Sequence, residues 1–161
     1  GEVLGMPSDN LMTMLREGGA KIIKQRNETY KKVTQSGIVM DKPQFDLTVD
    51  GKTIPIDKIK PLIGNNNFQE HVDVAESLGF ELFVKRAKVN QSKHVRVRPL
   101  FRNWKLSGSV TVLDEELSTI DYEILKKIFN LSGALCGLGD WRPSSNSSGS
   151  FGKFTTEIIP M

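Results

Sequence analysis

The residues in this chain best suited to do chemistry are cations. Lys85, Arg86, Lys88, Lys93, His94, Arg96, Arg98, Arg102 and Lys105 fall in one stretch, and no acidic residue lies between Glu81 and Asp114. Over residues 82–89 and 95–101 apolar and basic residues alternate, the two-residue period of a strand with one face in the core. Arg96 and Arg98 then share the face opposite Val95 and Val97, and a row of cations along one side of a sheet is what a phosphate backbone requires. The same pattern also describes a solvated sheet face whose charges discourage edge pairing.

A second group of residues is the glycine-rich run Gly137-Leu138-Gly139-Asp140-Trp141-Arg142-Pro143, followed by Gly149, Gly152 and Lys153. Glycine lets backbone amides approach a phosphate or a base, Arg142 can fork onto a phosphate, and Trp141 can stack on a base. The run lacks the Gly-Lys-Ser/Thr ending of a nucleotide-binding P-loop, so nucleoside triphosphate hydrolysis is disfavoured. The competing account is a tight helix-to-strand connection with Trp141 packed in the core.

Catalytic constellations are scarce. His71 and His94 are the only histidines and do not stand at helical ligand spacing, and the single cysteine, Cys136, cannot build a zinc site. Asp114, Glu115 and Glu116 read as a polar turn before a helix, and Asp140 reads as a residue bonded to local backbone. A metal-dependent nuclease using either group is the least favoured function, because such enzymes gather several carboxylates. No metal, cofactor or catalytic residue is expected.

These residues have to be positioned by a chain of 161 residues, a length that fits one domain. Cys136 alone excludes an intrachain disulfide and suits a reducing cytoplasm. No apolar run approaches the roughly 18 residues that a membrane span needs, and the N-terminus lacks a signal-peptide pattern, so a cytoplasmic protein is expected. The net charge of +3 and pI near 9.0 are mildly basic, and the distribution of charge says more than its sum. The chain opens on Gly1 rather than methionine, which leaves a processed product, a tagged chain or a fragment open.

Ser8 or Asp9 can cap a helix over about 10–25, with Leu11, Met14, Leu15, Ile22 and Ile23 on its apolar side. Gly18 and Gly19 inside it imply close packing against that face. Residues 24–67 read as irregular, with strand-like pieces at 37–40 and 45–49 and a hairpin turn at Asp50-Gly51. Strands follow at 82–89, 95–101 and 104–112, with Pro99 at a strand end, edge or bulge. Ser118-Thr119-Ile120-Asp121 resembles a capping box, and Ile120, Ile124, Leu125, Ile128, Leu131 and Leu135 then form a helical stripe. A last strand is expected over 151–159. The expectation is one α+β domain over residues 1–161, with an insertion at about 26–79.

The stretch Val97-Arg98-Pro99-Leu100-Phe101-Arg102-Asn103-Trp104, the glycine-rich run through Pro143, and Gly149-Ser150-Phe151-Gly152-Lys153-Phe154 together resemble a group of bacteriophage and prophage proteins. More distantly they resemble the repeat-associated mysterious protein superfamily, which supplies the crRNA-binding backbone subunits of CRISPR effector complexes. Gly5-Met6-Pro7-Ser8-Asp9-Asn10-Leu11 with Arg16 is similar to the start of that superfamily's first helix, without its usual basic-glycine pair.

The resemblance implies a ferredoxin-like antiparallel sheet with helices on one face, a glycine-rich loop near RNA, and head-to-tail assembly along a single strand. In that fold a strand precedes the first helix, so part of it is expected to be missing from the chain or supplied by a neighbour. The expected function is non-catalytic binding of single-stranded RNA, or less favoured DNA, with self-association and no membrane partner. Arg86, Lys88, Lys93, Arg96, Arg98, Arg102, Lys105, Gly137, Gly139, Trp141, Arg142 and Lys153 are the candidate contacts. The alternative is a protein-interaction module, such as a phage counter-defence inhibitor or an assembly subunit.

Overall fold

The computed structural model describes residues 1–90, 92–145 and 149–161, except for the side chains of residues 87–89, 93 and 94. In chain order its elements are β1 (Gly5–Pro7), α1 (Ser8–Gly19), β2 (Ile23–Gln25), β3 (Glu28–Thr29), α2 (Lys31–Gly37), β4 (Ile38–Met40), β5 (Gln44–Val49) and β6 (Lys52–Thr53). They continue with α3 (Phe68–Leu78), β7 (Glu81–Val89), β8 (Ser92–Leu100), β9 (Trp104–Ser107), β10 (Val110–Val112), α4 (Glu115–Ser118) and α5 (Tyr122–Leu131). Helices and several small antiparallel sheets make this an α+β protein. Among the described residues, no helix is long and apolar enough to cross a membrane.

The chain divides into two compact units, one of Gly1–Met6 with Phe45–Ser107 and one of Pro7–Gln44 with Gly108–Met161. In the first, β5 is the hub: it pairs antiparallel with β6 and β9, and β1 joins it as well. Asp50 and Gly51 both adopt positive φ, which a two-residue hairpin turn demands, and so the expected hairpin forms. Alternation along β5 points Phe45, Leu47 and Val49 inward. Leu47, Val49, Ile54, Ala75 and Phe80 form the core of this unit, against which Leu82, Phe101, Trp104 and Leu106 pack.

Residues 68–78 form α3, which lies within the stretch expected to be an irregular insertion. Its start is set by Asn67, whose side chain accepts from Glu70 N at 3.3 Å, and its end by Gly79 at φ 89°. A short strand, β1, stands before α1, where the ferredoxin-like order places one.

In the second unit, α1 starts at Ser8 and stops at Gly19 instead of running on to residue 25. Ser8 does not cap it: its hydroxyl donates to the Lys42 carbonyl, and Pro7 holds the cap position. The two glycines do mark close packing, since a Cβ at Gly18 would collide with Ser132 and one at Gly19 with Thr34 and the Tyr30 carbonyl. Past the glycines the chain turns into the β2–β3 hairpin, burying Ile22 and leaving Ile23 72% exposed.

The expected strand over 104–112 is broken at Gly108 and Ser109. β9 belongs to the first unit, while β10 pairs with β4 in the second, Val110 opposite Met40 and Val112 opposite Ile38. Asp121, not Ser118, caps α5, accepting from Ile124 N at 2.8 Å. Ile120, Leu125 and Ile128 are buried as their spacing requires. Leu135 is 50% exposed because residues 132–136 form a π turn. The wider turn carries Leu135 outward and puts Cys136 inside in its place.

Residues 153–159 do not form the expected last strand. Their exposure alternates as a strand's would, but they pair with no strand. Instead Phe154 N donates to the Gly133 carbonyl at 3.1 Å, and the Tyr122 hydroxyl donates to the Ile158 carbonyl at 3.1 Å.

Candidate nucleic-acid interface

The cationic stretch forms a two-stranded ribbon. β7 and β8 pair antiparallel from Glu81↔Leu100 out to Val89↔Ser92, and Asn90 beyond them adopts a φ of 48°. Directly opposed residues of an antiparallel pair share a face. One face therefore carries Lys85 with Arg96 and Phe83 with Arg98, and the other carries Val84 with Val97 and Arg86 with Val95.

The root of the ribbon is fixed in the core of its unit. Phe80 is buried and meets Phe101 at a ring-centroid distance of 5.2 Å, and Leu82 packs against the same cluster. Arg102 Nε lies 3.3 Å from a Glu81 carboxylate oxygen, in an exposed ion pair at the root. Pro99 stands opposite Leu82 in a ribbon whose strands are both edges, consistent with its missing N–H.

Beyond the root the ribbon departs from the expectation of one buried face. Val84, Val95 and Val97 are 49%, 63% and 39% exposed, and Lys85, Arg86, Arg96 and Arg98 are exposed as well. Both faces of this part meet solvent. The signal for this was present in the sequence: consecutive Lys85 and Arg86 must point to opposite sides of a strand, so neither side can be wholly core. Lys105 is exposed on β9, opposite Thr48. The side chains of Lys88, Lys93 and His94 lie outside the described residues.

The glycine-rich run falls in the other unit and is bonded largely to itself. Leu138 N donates to the Gly152 carbonyl at 3.1 Å, Phe151 N to the Trp141 carbonyl at 3.2 Å, and Ser144 N to the Cys136 carbonyl at 3.2 Å. Arg142 is half-buried and its Nη1 donates to the Gly139 carbonyl at 3.2 Å. Trp141 meets the Phe151 ring edge-on at 6.2 Å. Gly137 and Gly139 adopt φ of 74° and 84°. Gly149 and Gly152 are pressed against the backbone of Trp141 and Leu138, where a Cβ would overlap. Gly149 and Gly152 thus serve chain crossing within the turn, while the run leads into no strand and Trp141 is half-buried. Lys153 is exposed.

The other polar candidates have structural partners. A ring nitrogen of His71 bonds the Asn65 carbonyl at 2.6 Å, and Asp114 caps α4 by accepting from Leu117 N at 3.3 Å. Asp41 accepts from the Thr111 hydroxyl at 2.7 Å, and this bond, with one from Ser109, holds its carboxyl below the usual range. Burial pushes the Cys136 thiol up. Among the described residues, no group of three or more His, Cys, Asp or Glu could hold a metal ion. No family model, curated protein or solved structure matches the chain.

Proposed function

We propose that this protein binds nucleic acid, without catalysis, through the β7–β8 ribbon. The observation that carries the reading is the exposure of Lys85, Arg86, Arg96 and Arg98 on an arm anchored at its root, in a stretch free of acidic residues from 82 to 113. Such an arm offers cations to phosphates at little cost in folding, since the side chains already stand in water. Lys105 adds a further exposed cation in the same unit. The proposed kinship to the repeat-associated mysterious proteins, and with it a ferredoxin-like ancestry, is supported by the order β1–α1 and by α5 running into a glycine-rich turn.

The test is fluorescence anisotropy of the purified chain against labelled nucleic acids at two salt concentrations. Binding that falls steeply with salt supports the reading, and absence of binding at low salt overturns it.

A further inference from the structure

The nature of the ligand follows from the ribbon having two open faces, an inference that rests on the nucleic-acid reading above. A single strand laid on a sheet uses one cationic face and aromatic rings on which bases stack. Here the face with Lys85, Arg96 and Arg98 carries one aromatic ring among its described side chains, Phe83, which is half-buried. Trp141, the other stacking candidate, packs on Phe151 in the other unit. The opposite face of the ribbon is also in solvent: beyond the root its described side chains are three exposed valines and one arginine, and the register adds the Lys88–Lys93 pair of positions to the same face.

Those two faces match the two levels of a DNA major groove. The groove is about 12 Å wide and 8.5 Å deep and admits a two-stranded ribbon. Its floor presents thymine methyls, which suit apolar contacts, and guanine O6 and N7, which suit an arginine fork. Its rim is phosphate. From Val84 to Val89 the ribbon spans about 17 Å, long enough to lie along the groove.

We propose that the β7–β8 ribbon enters the major groove of duplex B-form DNA, with Val84, Val95, Val97 and Arg86 facing the base edges and Lys85, Arg96 and Arg98 reaching the phosphates at the rim. Charge complementarity selects a polyanion, and three exposed valines beside Arg86 suit a groove floor better than a bare backbone. An RNA duplex is excluded by shape, because its major groove is deep and too narrow for side chains to read.

The experiment compares binding of the full chain to duplex DNA of about two helical turns, to one of its strands, and to an RNA duplex of the same length. The expected result is a preference for duplex DNA of about tenfold or more, with protection of guanine N7 from methylation. Arg86→Ala and Val95→Ser should each weaken duplex binding by about tenfold and Arg86→Ala should remove the N7 protection, with melting temperatures of the free variants unchanged. Tighter binding to the single strand, or duplex binding indifferent to Arg86→Ala and Val95→Ser, overturns the groove and leaves the nucleic-acid reading standing. Absence of binding to all three ligands overturns both.

Discussion

Lys85 and Arg96 stand directly opposite each other on one face of the β7–β8 ribbon, both exposed. Like charges in directly opposed positions of an antiparallel pair repel and weaken the pairing. A ribbon selected for stability alone would place an acid at one of the two. The arrangement becomes favourable when a polyanion lies across it, so the free protein gives up stability that the complex recovers. Arg96→Thr should therefore raise the melting temperature of the free chain slightly while lowering its affinity for nucleic acid. Thermal unfolding and anisotropy on the same variant check the two halves together, and loss of both stability and affinity would contradict the argument.

Arg96 and Arg98 should contribute to binding through charge and not through sequence. Alanine at both positions should lower affinity about equally for all duplex sequences. The slope of log K against log salt should become shallower by about 0.9 for each phosphate contact removed. Titrations at several salt concentrations measure this directly. A double variant with an unchanged slope would take these arginines out of the interface.

The glycines of the second unit should separate by what surrounds them. Gly139 adopts φ 84° with open space where its side chain would go, so Gly139→Ala should cost only the left-handed backbone, about 1–2 kcal/mol. Gly152 adopts φ 79° against the backbone of Leu138, which cannot move aside as a flexible side chain would. Gly152→Ala should then cost about 3 kcal/mol or more. Urea unfolding of the two variants decides it, and equal costs would contradict the chain crossing described for this turn.

Where local signals acted alone, the elements could be read from the residues. The Asp50-Gly51 turn, the β7 and β8 strands and the α5 stripe as far as Leu131 follow from turn chemistry and periodicity, and they form as expected. Alternation failed where it met no partner: residues 153–159 alternate in exposure yet bond to Gly133 and the Tyr122 side chain, because a strand needs a ladder that no pattern in one segment guarantees. The α3 helix had its signals in Asn67, Glu70 and Gly79, but the preceding asparagines gave the segment the composition of a loop. The cations were legible as a group. Their division between two faces was signalled by consecutive Lys85 and Arg86, whereas the point beyond Leu82 at which the ribbon leaves its core is set by tertiary packing.

Cys136 offers a readout of the second unit that does not depend on any ligand. Its side chain is fully buried, and burial raises its pKa, with Lys21 and Arg142 opposing that effect and Glu17 adding to it. A raised folded-state pKa means the fold favours the protonated thiol. The stability it contributes is fully present below the unfolded thiol value of about 8.5 and is lost as pH rises through the folded value. The urea midpoint should therefore fall between pH 7.5 and pH 9.5, and Cys136→Ala, although less stable at neutral pH, should show a smaller fall over the same interval. Thiol reagents should label the native chain far more slowly than the urea-unfolded one at the same pH. Rapid labelling under native conditions would mean that the π turn at residues 132–136 opens readily and that the packing of Gly18 against Ser132 does not hold it shut.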